Sequence, residues 1–143
     1  MIKVLVLFFC LVLANISIAG PLHNAVLAND TNKIVTLITN GEDVNQVNDE
    51  GVWPLLIAAT YGNLKAAKTL IEHGVNVNQS NNHGYTALHE AASMADRRMV
   101  LLLLRHKAEI NKRDINQYTA LTYAMLSGSD KMVRLLKRKG ATE

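Results

Sequence analysis

Thr86-Ala87-Leu88-His89-Glu90-Ala91 returns 33 residues later as Thr119-Ala120-Leu121-Thr122-Tyr123-Ala124. One step back stands Trp53-Pro54-Leu55-Leu56-Ile57-Ala58, and one further Gly20-Pro21-Leu22-His23-Asn24-Ala25. The register needs no gap. Leu22, Leu55, Leu88 and Leu121 share a column, as do Ala25, Ala58, Ala91 and Ala124, and Leu37, Leu70, Leu103 and Leu136. Asn45, Asn78 and Asn111 form another, and so do Gly41, Gly74 and Gly140, with Lys107 as the exception. A fixed period of this kind marks stacked supersecondary units, none of which can bury its apolar face alone.

Each unit reads as two short helices and a connecting loop. The first helix is predicted to begin near Pro21, Pro54, Ala87 and Ala120; proline suits a first turn, where its missing N–H is not needed. A break follows at Asn29, Gly62, Ala95 and Gly128. The next column, Asp30, Asn63, Asp96 and Ser129, holds only preferred N-cap residues, so a second helix starts there in every unit. Its apolar stripe in the first unit is Ile34, Val35, Leu37 and Ile38. It should stop at the Gly41 column, where glycine takes the left-handed conformation cheaply. Val44, Val77 and Ile110 favour extended backbone beyond it.

These residues resemble the ankyrin repeat, with its period of 33 and its T-P-L-H-x-A signature. No copy carries the whole signature, and each keeps part. Glu72-His73-Gly74-Val75-Asn76-Val77-Asn78 is similar to the family's loop after the second helix. The resemblance implies an all-α repeat solenoid of four helix-turn-helix units joined by β-turn or hairpin loops, spanning about residues 20–47, 48–80, 81–113 and 114–143. Several positions depart from it. Trp53 replaces a small hydroxyl residue that braces the turn, and Leu56 and Thr122 replace the bracing His. Lys107 in a left-handed site would cost on the order of 1 kcal/mol, and Ala95 raises the same question. In the last unit Arg134 and Lys137 occupy columns that are largely apolar elsewhere, as expected of a polar capping unit that closes the array.

The chain has 143 residues, 49% apolar and only 5% aromatic, with one Cys. That single Cys excludes an internal disulfide framework and a Cys-based zinc site. Lys3 precedes an apolar run from Val4 to Ala14, then Asn15-Ile16-Ser17-Ile18-Ala19. A basic start, a short apolar run and a small-x-small ending describe a secretory signal peptide over residues 1–19. The run is too short for a spanning helix, which needs roughly 20 apolar residues. The expectation is therefore a short exported protein of bacterial type, periplasmic or extracellular, that meets the membrane only through its leader. The formal charge of +3 conceals an asymmetry: residues 20–81 hold 3 basic and 6 acidic residues, residues 82–143 hold 11 and 6.

Catalytic patterns are lacking. There is no phosphate-cradling Gly-rich loop and no G-x-S-x-G elbow. His89-Glu90 begins like a zinc-protease motif, but Ser93 fills its last position. His23 and His89 read as turn braces, and His73 and His106 as cations at helix ends. No metal, cofactor or small-molecule substrate is expected. Asn29-Asp30-Thr31 and Asn78-Gln79-Ser80 match the glycosylation pattern. What remains is a surface. Loop tips and the exposed faces of the first helices should form a concave wall. In the second unit it would include Asp49, Glu50, Val52, Thr60 and Tyr61. In the third it would include Asn82, His83, Tyr85, Ser93 and Met94, and in the fourth Ile115, Asn116, Tyr118, Leu126 and Ser127. The resemblance makes these the columns that select a protein partner. Tyr61, Tyr85 and Tyr118 are the leading contacts, since Tyr is enriched at binding hot spots; Asp49, Glu50, His83, Met94 and Asn116 complete the candidate site. Trp53 is read as packing between the first two units. A rival function is an anionic surface or nucleic acid bound by the basic last helix, carrying Lys131, Arg134, Lys137, Arg138 and Lys139. No aromatic residues interleave with those charges, which argues against single-strand binding.

Overall fold

A computed structural model describes residues 20–142; the leader assigned to residues 1–19 lies outside the described residues. Eight helices follow in four pairs: α1 (Pro21–Leu27) with α2 (Thr31–Thr39), α3 (Pro54–Thr60) with α4 (Leu64–Glu72), α5 (Ala87–Ser93) with α6 (Arg97–Arg105), and α7 (Ala120–Leu126) with α8 (Asp130–Arg138). All four first helices start at the predicted residue. Such helices are too short to persist alone, since isolated helices under about 12–15 residues are marginal in water. Burial supplies what length does not. Leu22, Leu55 and Leu121 are wholly inaccessible and Leu88 nearly so, with all four alanines of the companion column beside them. Burying a leucine contributes about 1.5–3 kcal/mol.

First helices stack on first helices and second on second. The two rows behave differently along the chain. Contact in the first row grows from α1–α3 through α3–α5 to α5–α7, while in the second row α2–α4 pack well, α4–α6 less, and α6–α8 barely meet.

The breaks follow backbone chemistry. Asn29, Gly62, Ala95 and Gly128 all take positive φ, as do Gly41, Gly74, Lys107 and Gly140. A third such column, Gly51, Gly84 and Gln117, closes the loop turns. At Gly84 the neighbouring loop comes so near that a Cβ would lie 3.1 Å from the Asp114 Cα. Asp30, Asp96 and Ser129 cap their helices through the side chain. Asn63 does not; its amide donates instead to the Val26 and Leu27 carbonyls of the preceding unit, each at 3.0 Å.

Val44, Val77 and Ile110 are not extended. Each sits in a tight turn, closed by Gln46 N–H on the Asp43 carbonyl, Gln79 on Asn76 and Lys112 on Glu109. Among the described residues there is no strand, only one bridge between Ser80 and Thr86. The turns are held by the Asn column, which reaches across units. Asn45 Oδ1 accepts from the Asn76 N–H at 2.7 Å, Asn78 Oδ1 from Glu109 at 2.8 Å, and Asn111 Oδ1 from Thr142 at 2.9 Å. Asn78 Nδ2 also donates to the Lys107 carbonyl. Both glycosylation-type asparagines are thus engaged in the fold, since Asn29 Oδ1 accepts from the Ala66 N–H.

Lys107 and Ala95 hold left-handed backbone with φ of 66° and 54°. Replacing either by glycine removes the Cβ clash, so Lys107→Gly and Ala95→Gly should each raise the unfolding free energy by about 1 kcal/mol. Denaturant titration checks this, and an unchanged or lower midpoint would contradict it.

Candidate functional site

The loop between units is built on a column that composition hides. Asn48 Oδ1 accepts from the backbone N–H of Glu50 and Val52, Asn81 from His83 and Tyr85, and Asp114 from Asn116 and Tyr118. One short side-chain acceptor thereby satisfies two loop donors and sets the direction in which the tip projects. Asp49, Glu50, Asn82, His83, Ile115 and Asn116 stand exposed on these tips.

The turns leading into the first helices are braced differently in each of the four units. In the third unit Thr86 caps α5, and His89 Nδ1 accepts from the Thr86 N–H at 3.0 Å while Nε2 bonds the Lys112 carbonyl at 3.0 Å. In the fourth, Thr119 and Thr122 make the same box from two hydroxyls. The second unit has neither hydroxyl nor imidazole: Trp53 and Leu56 are both buried there. Burial of apolar surface replaces the polar brace, and the Trp53 Nε1 is left without a partner. His23 bonds the Val52 carbonyl through Nε2 at 3.1 Å, while Nδ1 is unpartnered because Gly20 offers no hydroxyl.

The wall residues do not all face outward. Tyr61 and Met94, 33 residues apart, are the C-cap residues of α3 and α5 and are 42% and 45% exposed. Leu27 and Met125, which the sequence reading passed over, are exposed as well. Val52, Thr60 and Ser93 are corrections: all three are buried. Val52 backs the loop that His23 clamps, and Thr60 turns its hydroxyl onto the Leu56 carbonyl. Leu126 and Ser127 are half-buried.

Tyr85 and Tyr118 are half-buried in a cluster with Tyr123 and His89. Tyr123 stands edge-on to Tyr85 and Tyr118, with centroids 5.2 and 6.0 Å apart, an arrangement aromatic quadrupoles favour. Two hydroxyls are committed inward. Tyr85 donates to Glu90 Oε2 at 2.6 Å and Tyr123 to Asp114 Oδ2 at 2.7 Å, and both carboxylates are buried. Burial and the bond to Asp114 push the Tyr123 phenol well above its ordinary range. Tyr85 therefore offers a partner its ring rather than its hydroxyl. Tyr123 lay outside the expected wall, yet it is the ring against which Tyr85 and Tyr118 pack.

Among the described residues no group of three or more His, Cys, Asp or Glu is placed to hold a metal, and no helix is long and apolar enough to cross a membrane. Paired helices in register, each unit clamped to the next through asparagine, define a helical repeat solenoid. The family model for ankyrin repeats, in three copies, matches residues 22–114, well over half the chain, and the chain belongs to that family. The α7–α8 pair lies beyond the matched segment and repeats the same geometry. No match was found among curated proteins. Ankyrin repeats are generally protein–protein interaction modules and typically not enzymes.

Burial holds both His23 and His89 below their ordinary pKa of 6.5. For His89 protonation would also destroy the acceptor that takes the Thr86 N–H. Each ring protonates more readily in the unfolded chain, so stability is full above pH 6.5 and falls as the pH drops through and below it. Denaturant midpoints should decline between pH 7 and about 5. The decline should flatten in the His23→Gln, His89→Gln double variant, and a wild-type midpoint constant over that range would contradict the assignment.

Proposed function

We propose that the protein is a non-enzymatic adaptor that binds one protein partner through the ends of its first helices and its loop tips. The observation that carries this reading is that Tyr61 and Met94 stand exposed at the same position of the second and third units, with Leu27 and Met125 exposed near the first-helix ends of the outer two. Large apolar side chains exposed on neighbouring units are the surface feature that interaction sites share. Rings of Tyr85 and Tyr118 add rigid area beside it, and Asp49, Glu50, His83 and Asn116 form the polar rim. Rigid, preorganised groups bind with less entropy loss than mobile ones. The inward bonds of Tyr85 and Tyr123 thus support affinity by fixing the surface in advance.

The same proposal has the chain acting after export, with residues 1–19 removed, in the periplasm or outside the cell. Lys3, the apolar run and Ser17-x-Ala19 support that reading. Mass analysis of the protein recovered from that compartment should give a chain beginning at Gly20; a chain retaining residues 1–19 would overturn it.

Affinity capture from the same compartment tests the wall. Tyr61→Ala with Met94→Ala should reduce recovery of the partner by about tenfold or more, the effect of one or two lost hot-spot contacts. Both residues lie at helix ends and are exposed, so circular dichroism should show unchanged helix content. Full recovery with the double variant would remove the wall from consideration.

A further inference from the structure

The second row of helices offers a different surface. Where the C-terminal ends of α6 and α8 part, a groove of about 380 Å³ opens, lined by Leu101, Leu104, Arg105, Ala108, Ile110 and Lys139. Four of these are aliphatic and only half-buried, so the floor is apolar and accessible. Arg105 and Lys139 are exposed at its rim.

The surrounding charge is one-sided. Residues 97–113 carry six basic side chains and one acidic, and residues 130–139 carry five and one. Two helix C-termini converge on the groove, and each contributes roughly half a negative charge. That partial charge is outweighed by Arg105, Lys107, Arg138 and Lys139, all exposed within the last turns of α6 and α8 or just beyond them. The net charge around the groove is therefore positive, with Glu109, between Ala108 and Ile110, the one acidic residue of 97–113. Cations at helix ends would serve the helices alone, but a solvated cap does not need four half-buried aliphatic side chains facing an open cleft.

We propose that this groove docks an acidic amphipathic segment of a protein partner, its aliphatic side chains on the Leu101–Leu104 floor and its carboxylates at Arg105 and Lys139. The shape favours a peptide over a small molecule. Small-molecule sites enclose about 70–90% of their ligand, whereas this groove is open along one side. An amphipathic segment laid into such a groove needs to bury only one face. The site is separate from the first-helix wall, so the chain has two faces that bind partners of different chemistry.

A fluorescent helix-forming peptide of leucine and glutamate in amphipathic order tests this against the same peptide with lysine in place of glutamate. The glutamate peptide should bind the protein at least about tenfold more tightly at low salt, and high salt should erase the preference. Arg105→Glu with Lys139→Glu should reverse it; both residues are exposed, so the fold should survive. Leu104→Ala should weaken binding of the glutamate peptide severalfold, and Tyr61→Ala should leave it unchanged. Equal binding of the two peptides, no binding of either, or indifference to the charge reversals would overturn the proposal. So would loss of binding in Tyr61→Ala, which would place the peptide on the other wall. Binding of anionic lipid vesicles or of DNA that responds to the charge reversals would also overturn it if Leu104→Ala left the peptide unaffected. The cations would then be a general anion attractor without a groove.

Discussion

Helices of seven to nine residues cannot stand alone, and that shortness governs the molecule. Each unit is stable only because its neighbour covers the Leu and Ala columns and completes its turns. The Asn column makes the dependence directional. Asn45, Asn78 and Asn111 each hold the backbone of the following unit, so each turn after the first is finished by the asparagine one period earlier. Stability in such an array is a sum of weak units and strong junctions.

Much of this was legible because the period is exact and the residues in question have one physical use. A column of Asp, Asn and Ser at a helix start, or of Gly at its end, admits few other readings. The first-helix boundaries and the left-handed positions at Ala95 and Lys107 follow from that. Three things were not legible. Val44, Val77 and Ile110 look like strand residues because β-branching favours extended backbone, but the Asn bridges and the turns they close override propensity. Asn48, Asn81 and Asp114 form a column in plain view, yet asparagine and aspartate are so common in loops that their shared bonding pattern did not stand out. Asn63 matched a cap column and spends its amide on the neighbouring unit instead.

The candidate wall was legible in outline and not in detail. Position in the period identifies which residues border the first-helix ends. It does not say whether a side chain at that border turns in or out. Thr60 and Ser93 are small and polar, and small polar side chains can be buried cheaply when a carbonyl is near. Tyr85 and Tyr118 were read as outward contacts; both are half-buried, and Tyr85 is a structural donor to a buried carboxylate. A residue can serve both ends when its ring and its hydroxyl point different ways. The replacement of a threonine–histidine brace by Trp53 and Leu56 shows the reverse freedom: the same turn tolerates two unrelated solutions because the backbone it must hold is the same.

The opposite trends of the two helix rows give the array an uneven elasticity. Toward the last units the first row is tightly packed while the second is slack, so the two sides resist deformation unequally. A bend that opens α6 from α8 breaks few contacts but presses on the already close α5–α7 pair, whereas a bend that closes them pivots on that pair and brings two sets of cations together. The last unit is in this sense held along one edge, as a page is by its binding.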